Sequence, residues 1–160
     1  MEEDNASRTG PNAHIVGVKS WIAYLGLMLL ALLLFGLVPL AFMVNEIAAA
    51  VVMVIATLVV GYRFLTIRSV VLYYDEVGVW VFSGVLPWKK GVAGVKWRDM
   101  DEATFEQGFW SWITGSYTIR IGHRFTKASE IRLTTIAGGK DAVAKLNAHQ
   151  QGLIREGRIE

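Results

Sequence analysis

There is no cysteine in this chain. That excludes disulfides, thiolate chemistry and the usual zinc ligand sets together. Histidine is scarce as well: His14, His123 and His149 stand far apart and form no ligand motif. No glycine-rich phosphate loop and no Ser-His-Asp or paired-carboxylate arrangement is present. A strong excess of one charge is also missing. The formal net charge is +2, and from Arg63 onward 14 Lys and Arg stand against 10 Asp and Glu. A nucleic-acid binder carries far denser basic clusters. The expectation is a non-catalytic protein with no cofactor, no metal and no nucleic-acid partner.

One acidic group needs separate treatment. Asp99 and Asp101 share a strand face by their alternate spacing, with Glu102 and Glu106 nearby, as a hard-cation site requires. Lys96 and Arg98 adjoin them, so a solvated, ion-paired strand end is the plainer account. A small metal-dependent enzyme using Asp99 and Asp101 is the weakest of three readings.

What the chain has in quantity is uncharged length. Trp21 to Val44, "WIAYLGLMLLALLLFGLVPLAFMV", contains 24 residues without a charge. As a helix it reaches ~36 Å, enough for a ~30 Å hydrocarbon core with some tilt. Pro39 should kink or end that helix. Asn45-Glu46 interrupts, and Ile47 to Tyr62 then runs uncharged for 16 residues, extended by a snorkelling Arg63. Neither run shows the polar stripe of a soluble core helix, and a cleaved signal peptide would have a shorter apolar stretch. A two-helix transmembrane hairpin over 20–66 is expected. Lys19, Arg63 and Arg68 flank it on one side, with only Glu46 at the turn, which puts both termini in the cytoplasm. Trp21 and Tyr62, with Arg63, mark the anchor ends at that interface. Ala49 and Ala56 lie two turns apart on one face, with Gly36 opposite, and suit close helix packing within the hairpin or between protomers.

The remainder divides into a disordered cytoplasmic tail over 1–19, a domain over 68–152 and a short tail over 153–160. After Arg68 the period becomes strand-like. "SVVLYYDEVGVWVFSG" reads as strand, turn at Asp75–Gly78, strand. "LPWKKG" connects it to a third strand beginning "GVAGVKW". "RDMDEATFEQGFWSWITGS" has no period of two and reads as an irregular or partly helical connection. "YTIRIGH" points Tyr117, Ile119 and Ile121 inward, and "EIRLTTI" does the same with Ile131 and Leu133. Gly138-Gly139 then precedes an amphipathic helix with Ala142, Val143, Leu146 and Leu153 on one face. The fold class is α+β with a membrane anchor.

A two-span hairpin, then "YYDEVGVWVFSG", "GVKWRDMD", "FWSWITGSYTIRI" and a closing helix, resembles the bacterial membrane proteins with a pleckstrin-homology-like (PH-like) domain, two-transmembrane-helix type. The resemblance covers Trp21 to about Gln151 and includes Gly84 after the aromatic hairpin and Gly115 before the strand at Tyr117. It departs where the family often has a second glycine, since Tyr117 stands there. It implies a PH-like antiparallel split barrel with a C-terminal capping helix, in the bacterial inner (plasma) membrane, and no particular activity.

Two surfaces are candidates for contact. Phosphoinositide-binding PH domains use basic residues around the first hairpin; here that hairpin holds Asp75-Glu76. The second hairpin offers Trp88, Lys89 and Lys90, suited to anionic headgroups, with Arg124 and Lys127 as further cations. Its Trp88 either faces the bilayer or folds back over the sheet. The second surface is Phe109, Trp110, Trp112 and Ile113. Two of these four are expected to plug the barrel and two to be exposed as a partner contact. The sequence thus favours a binding or assembly module that contacts a membrane protein partner or oligomerises. Direct anionic-lipid binding is the alternative.

Overall fold

The computed structural model describes residues 13–125 and 130–159. A 3-10 turn, Trp21–Tyr24, leads into α1 (Leu25–Phe42), and α2 (Glu46–Arg68) follows after a tight turn. Asn45 caps α2, its Oδ1 accepting from the Ala48 N–H at 2.6 Å. Pro39 lies inside the last turn of α1, which ends at Phe42, three residues later, just before the turn. Both helices are long and apolar enough to cross a membrane. Ala49 and Ala56 are buried in α2, whereas Leu29, Leu32 and Leu58 stand exposed. The small residues therefore pack the hairpin against itself. Gly36 takes no part, since a methyl added there would meet nothing within 4 Å.

The helical hairpin is an insertion within the sheet domain. Strand β1 (His14–Val18) precedes it, β2 (Val71–Tyr74) follows it, and the two pair antiparallel with Val18 opposite Val71. This corrects the expected tail over 1–19, of which residues 1–12 lie outside the described residues. β1 is short and interrupted by Gly17, so its sequence carries little strand signal. That glycine is needed: a methyl there would lie 2.7 Å from Ile136 Cγ2. β3 (Gly78–Ser83) and β4 (Gly91–Lys96) complete a four-stranded sheet in the order β1-β2-β3-β4.

A second antiparallel sheet holds β5 (Met100–Glu106), β6 (Ser116–His123) and β7 (Ile131–Ala137), with the short helix α3 (Phe109–Thr114) between β5 and β6. The connection expected to be irregular is thus a seven-residue strand and a six-residue helix. A bulge between Met100 and Ala103 disturbs its alternation and hides the strand period. A bridge from Lys19 to Ile136 joins the two sheets.

Helix α4 (Gly139–Arg155) closes the domain. It buries Ala142, Val143, Leu146 and Leu153 against Leu72, Val79, Val95, Trp97, Met100, Ile119 and Ile121. Leu153, on the helix face read from the sequence though past the expected domain end at 152, is core, and Ile159 also packs against the core. Polar groups fix the helix in register. The Asn147 side chain accepts from Ala103 N–H at 3.1 Å and donates to its carbonyl at 2.9 Å. Gln150 donates to the Met100 carbonyl at 2.9 Å. All three bonds serve the β5 bulge, where ladder partners are missing.

Candidate functional site

Strand register shows which residues lie beside the helical hairpin. Val71, three residues after α2 ends, is opposite Phe82, and Ser83 is opposite Gly91. The β3–β4 connection that carries Trp88, Lys89 and Lys90 therefore sits at the helix end of the sheet. The Asp75–Gly78 turn occupies the far end, where Gly78 pairs with Lys96. Buried Ser69 fastens the connection to α2: its Oγ accepts from the Gly84 N–H at 3.1 Å and donates to the Thr66 carbonyl at 2.8 Å. Gly84 has φ +109°, and a side chain there would strike the Lys89 carbonyl. Pro87 opens a 3-10 turn over Pro87–Lys89, closed by Lys89 N–H to the Leu86 carbonyl at 2.8 Å. Trp88 is 77% exposed. It does not fold back over the sheet.

A cavity of about 280 Å³ lies between the last turn of α2 and this connection, with Arg68 and Lys90 among its lining. Arg68 closes the second long helix. Helix α2 continues past Tyr62 and Arg63 to Arg68, about 8 Å further along the axis. Trp21 is exposed at the start of the first apolar stretch. Lys19 is engaged by the domain: its Nζ donates to the Thr134 carbonyl and lies 3.4 Å from both the Thr134 and Thr135 hydroxyls. Burial lowers its pKa from the ordinary lysine value. Thr135 is held at φ +54° at this junction, where Ser20 N–H also donates to its carbonyl at 2.8 Å.

The aromatic helix α3 stands apart from the core. Phe109, Trp110, Trp112 and Ile113 are all between 55% and 74% exposed, so none of the four plugs the core between the sheets. The far end of the core is filled by Trp97, which is 1% exposed and donates through Nε1 to the Asp75 carbonyl at 2.8 Å, whereas α3 stands at the opposite end, where Ser116 faces Ala137 and Lys19 bridges Ile136. The Tyr74 and His149 rings pack on Trp97 at 5.9 and 5.0 Å. Gly115, left-handed at φ +63°, ends α3. The Thr114 hydroxyl donates to the Trp110 carbonyl at 2.6 Å. Phe109 and Trp110 meet edge to face at 5.5 Å.

The remaining candidates lie elsewhere. Arg124 donates its backbone N–H to the Asp99 carbonyl at 2.9 Å. Asp99 N–H in turn donates to Lys96, so Arg124 belongs to the far end and does not join Trp88. Lys127 lies outside the described residues. Asp99 meets Arg98 at 3.4 Å and Glu106 meets Arg132 at 2.9 Å. Among the described residues no three His, Cys, Asp or Glu side chains converge on a metal position. Sequence reasoning missed the Arg68–Ser69–Gly84 cluster, although a cation ending the second apolar run was its signal. The chain matches no family model, no curated protein and no solved structure.

Proposed function

We propose that this chain is a membrane-anchored, non-catalytic binding module of PH-like architecture on the cytoplasmic face of a bacterial inner membrane. Its α3 surface contacts a membrane protein partner or a second copy. The observation that carries this reading is the exposure of Phe109, Trp110, Trp112 and Ile113 together on one six-residue helix, while the core closes without them. Large exposed apolar clusters mark protein or membrane interaction sites; α3 lies at the sheet end where Lys19 bridges Ile136, within reach of a partner in the same membrane, and tryptophans are enriched among interface hot spots. The helix sequence "FWSWIT" carries no cation, which favours a protein contact over anionic headgroups. Four strands, three strands and a closing helix support the PH-like architecture. Arg63 and Arg68 at one side, with Glu46 at the turn, support cytoplasmic termini. The test is light scattering on the full chain in mild detergent, co-purified from its own membranes. A complex larger than one chain is expected, lost in Trp110→Ala/Trp112→Ala; an unchanged mass in that variant overturns the reading.

The Trp88 hairpin supports a second role. An exposed ring and two lysines at the helix end suit the headgroup layer, each cation contributing ~1 kcal/mol near an anionic surface. Tethering makes even weak affinity effective. Flotation of the domain on anionic vesicles should weaken with salt and with Lys89→Glu.

A further inference from the structure

We propose that the cavity between the last turn of α2 and the β3–β4 connection binds the phosphate of one anionic membrane phospholipid. This rests on the reading of α1 and α2 as membrane spans. The cavity is about 280 Å³ and brings two cations from different elements to one space, Arg68 from α2 and Lys90 from the connection. Neither cation forms an ion pair among the described residues. A guanidinium presents a planar fork that matches phosphate oxygens, and an ammonium supplies a second point charge. A flanking cation that served topology alone would need neither a cavity nor a partner cation across it.

Size and lining narrow the ligand. Small-molecule sites run to roughly 300–1,000 Å³, so this one suits a headgroup with its acyl chains outside. Leu65, Phe82 and Val85 form the apolar part of the wall. Leu65 is itself exposed on α2, giving an apolar path from the cavity down the helix, as a lipid's glycerol and chains require. The walls are held before binding, because the Ser69 hydroxyl bonds both Thr66 and Gly84, which lowers the ordering cost. A soluble phosphate would have no use for the apolar path.

The experiment is native mass spectrometry of the full-length protein in a non-ionic detergent, exchanged into phosphatidylglycerol or phosphatidylcholine. One phosphatidylglycerol retained per chain is expected, in preference to phosphatidylcholine. Arg68→Gln/Lys90→Gln should lower retention about tenfold or more, with Lys145→Gln, exposed on α4, unchanged. Thermal unfolding checks the fold, and Lys90→Gln alone, at an exposed position, serves if the double variant fails to fold. Equal retention of the two lipids, or retention unaffected by the cavity variants, overturns the site. An equal loss in Lys89→Gln also overturns it, and leaves diffuse binding by the Trp88 hairpin in its place. Displacement of the lipid by millimolar inorganic phosphate alone would make the ligand a free anion and overturn the lipid assignment.

Discussion

Val18 and Val71 face each other across the last rung of the β1–β2 ladder, with the whole helical hairpin, residues 19–70, between them in the chain. Each apolar helix therefore emerges from a strand of the same sheet. Lys19 and Ser20 tie one exit to Thr134 and Thr135, and Ser69 ties the other to Gly84. The helical hairpin and the domain share a hydrogen-bonded base, so the domain's orientation relative to the two apolar helices is set by backbone pairing and owes nothing to a flexible linker.

That arrangement predicts a cost at Gly17. A methyl there overlaps Ile136 Cγ2, in a place where β1 and β7 cross. Overpacking of this kind costs about 1–3 kcal/mol. Gly17→Val should lower the chemical-denaturation midpoint of the full chain in detergent without changing its insertion.

Closure by α4 predicts two further losses. Leu146→Ala empties a fully buried position and should cost about 2–5 kcal/mol. Asn147→Leu keeps the bulk but leaves the Ala103 N–H and carbonyl without their partners, at about 1–3 kcal/mol. Denaturant titration distinguishes both from a surface change on the same helix, such as Lys145→Ala, which should stay within about 0.5 kcal/mol.

Asp75 predicts a pH dependence. Burial raises its pKa, but hydrogen bonds to the carboxylate, among them the Val77 and Gly78 N–H groups donating to Oδ1 at 2.8 and 2.9 Å, lower it by more, so the net shift is downward. A carboxyl depressed on folding stabilises above its unfolded pKa of ~3.9 and loses that contribution as pH falls through the folded value. Thermal unfolding of the wild type should weaken on acidification below about pH 4. Asp75→Asn, which keeps the acceptor and removes the titration, should lose less stability over the same acid range.

Much of this fold could be read from residues alone, and the exceptions have physical causes. The apolar runs, the inward positions of Ile119, Ile121, Ile131 and Leu133, and the α4 face with Leu146 follow from burial at a regular period, and the structure has them buried. The alternation failed at β5, where a bulge breaks it and α4 side chains complete the ladder. It failed at β1, whose Gly17 answers a contact with a residue over a hundred positions away. The contact surfaces were partly legible. Composition marked Trp88 and the α3 aromatics as unusual, yet their exposure follows from strand register, which sets both at the helix end of the sheets and leaves the core to others. The Arg68–Lys90 cavity needed the β3–β4 register, which no local pattern supplies.

The exposed α3 ring system predicts a separation of stability from assembly. Trp112→Ala removes little buried area, since the residue is 65% exposed, and should change unfolding by less than about 0.5 kcal/mol. The same change should remove a hot spot worth about 2 kcal/mol or more from the complex, measured as loss of partner on pull-down with the folded variant.

The most direct test places a photo-crosslinking amino acid at Trp112 in the full-length protein and irradiates it in its native membrane. A discrete adduct of higher protein mass is predicted, either a second copy or another membrane protein, with Trp88 crosslinking to lipid in parallel. Lipid adducts alone at Trp112, or none, would contradict the assignment of α3 as a protein-binding surface.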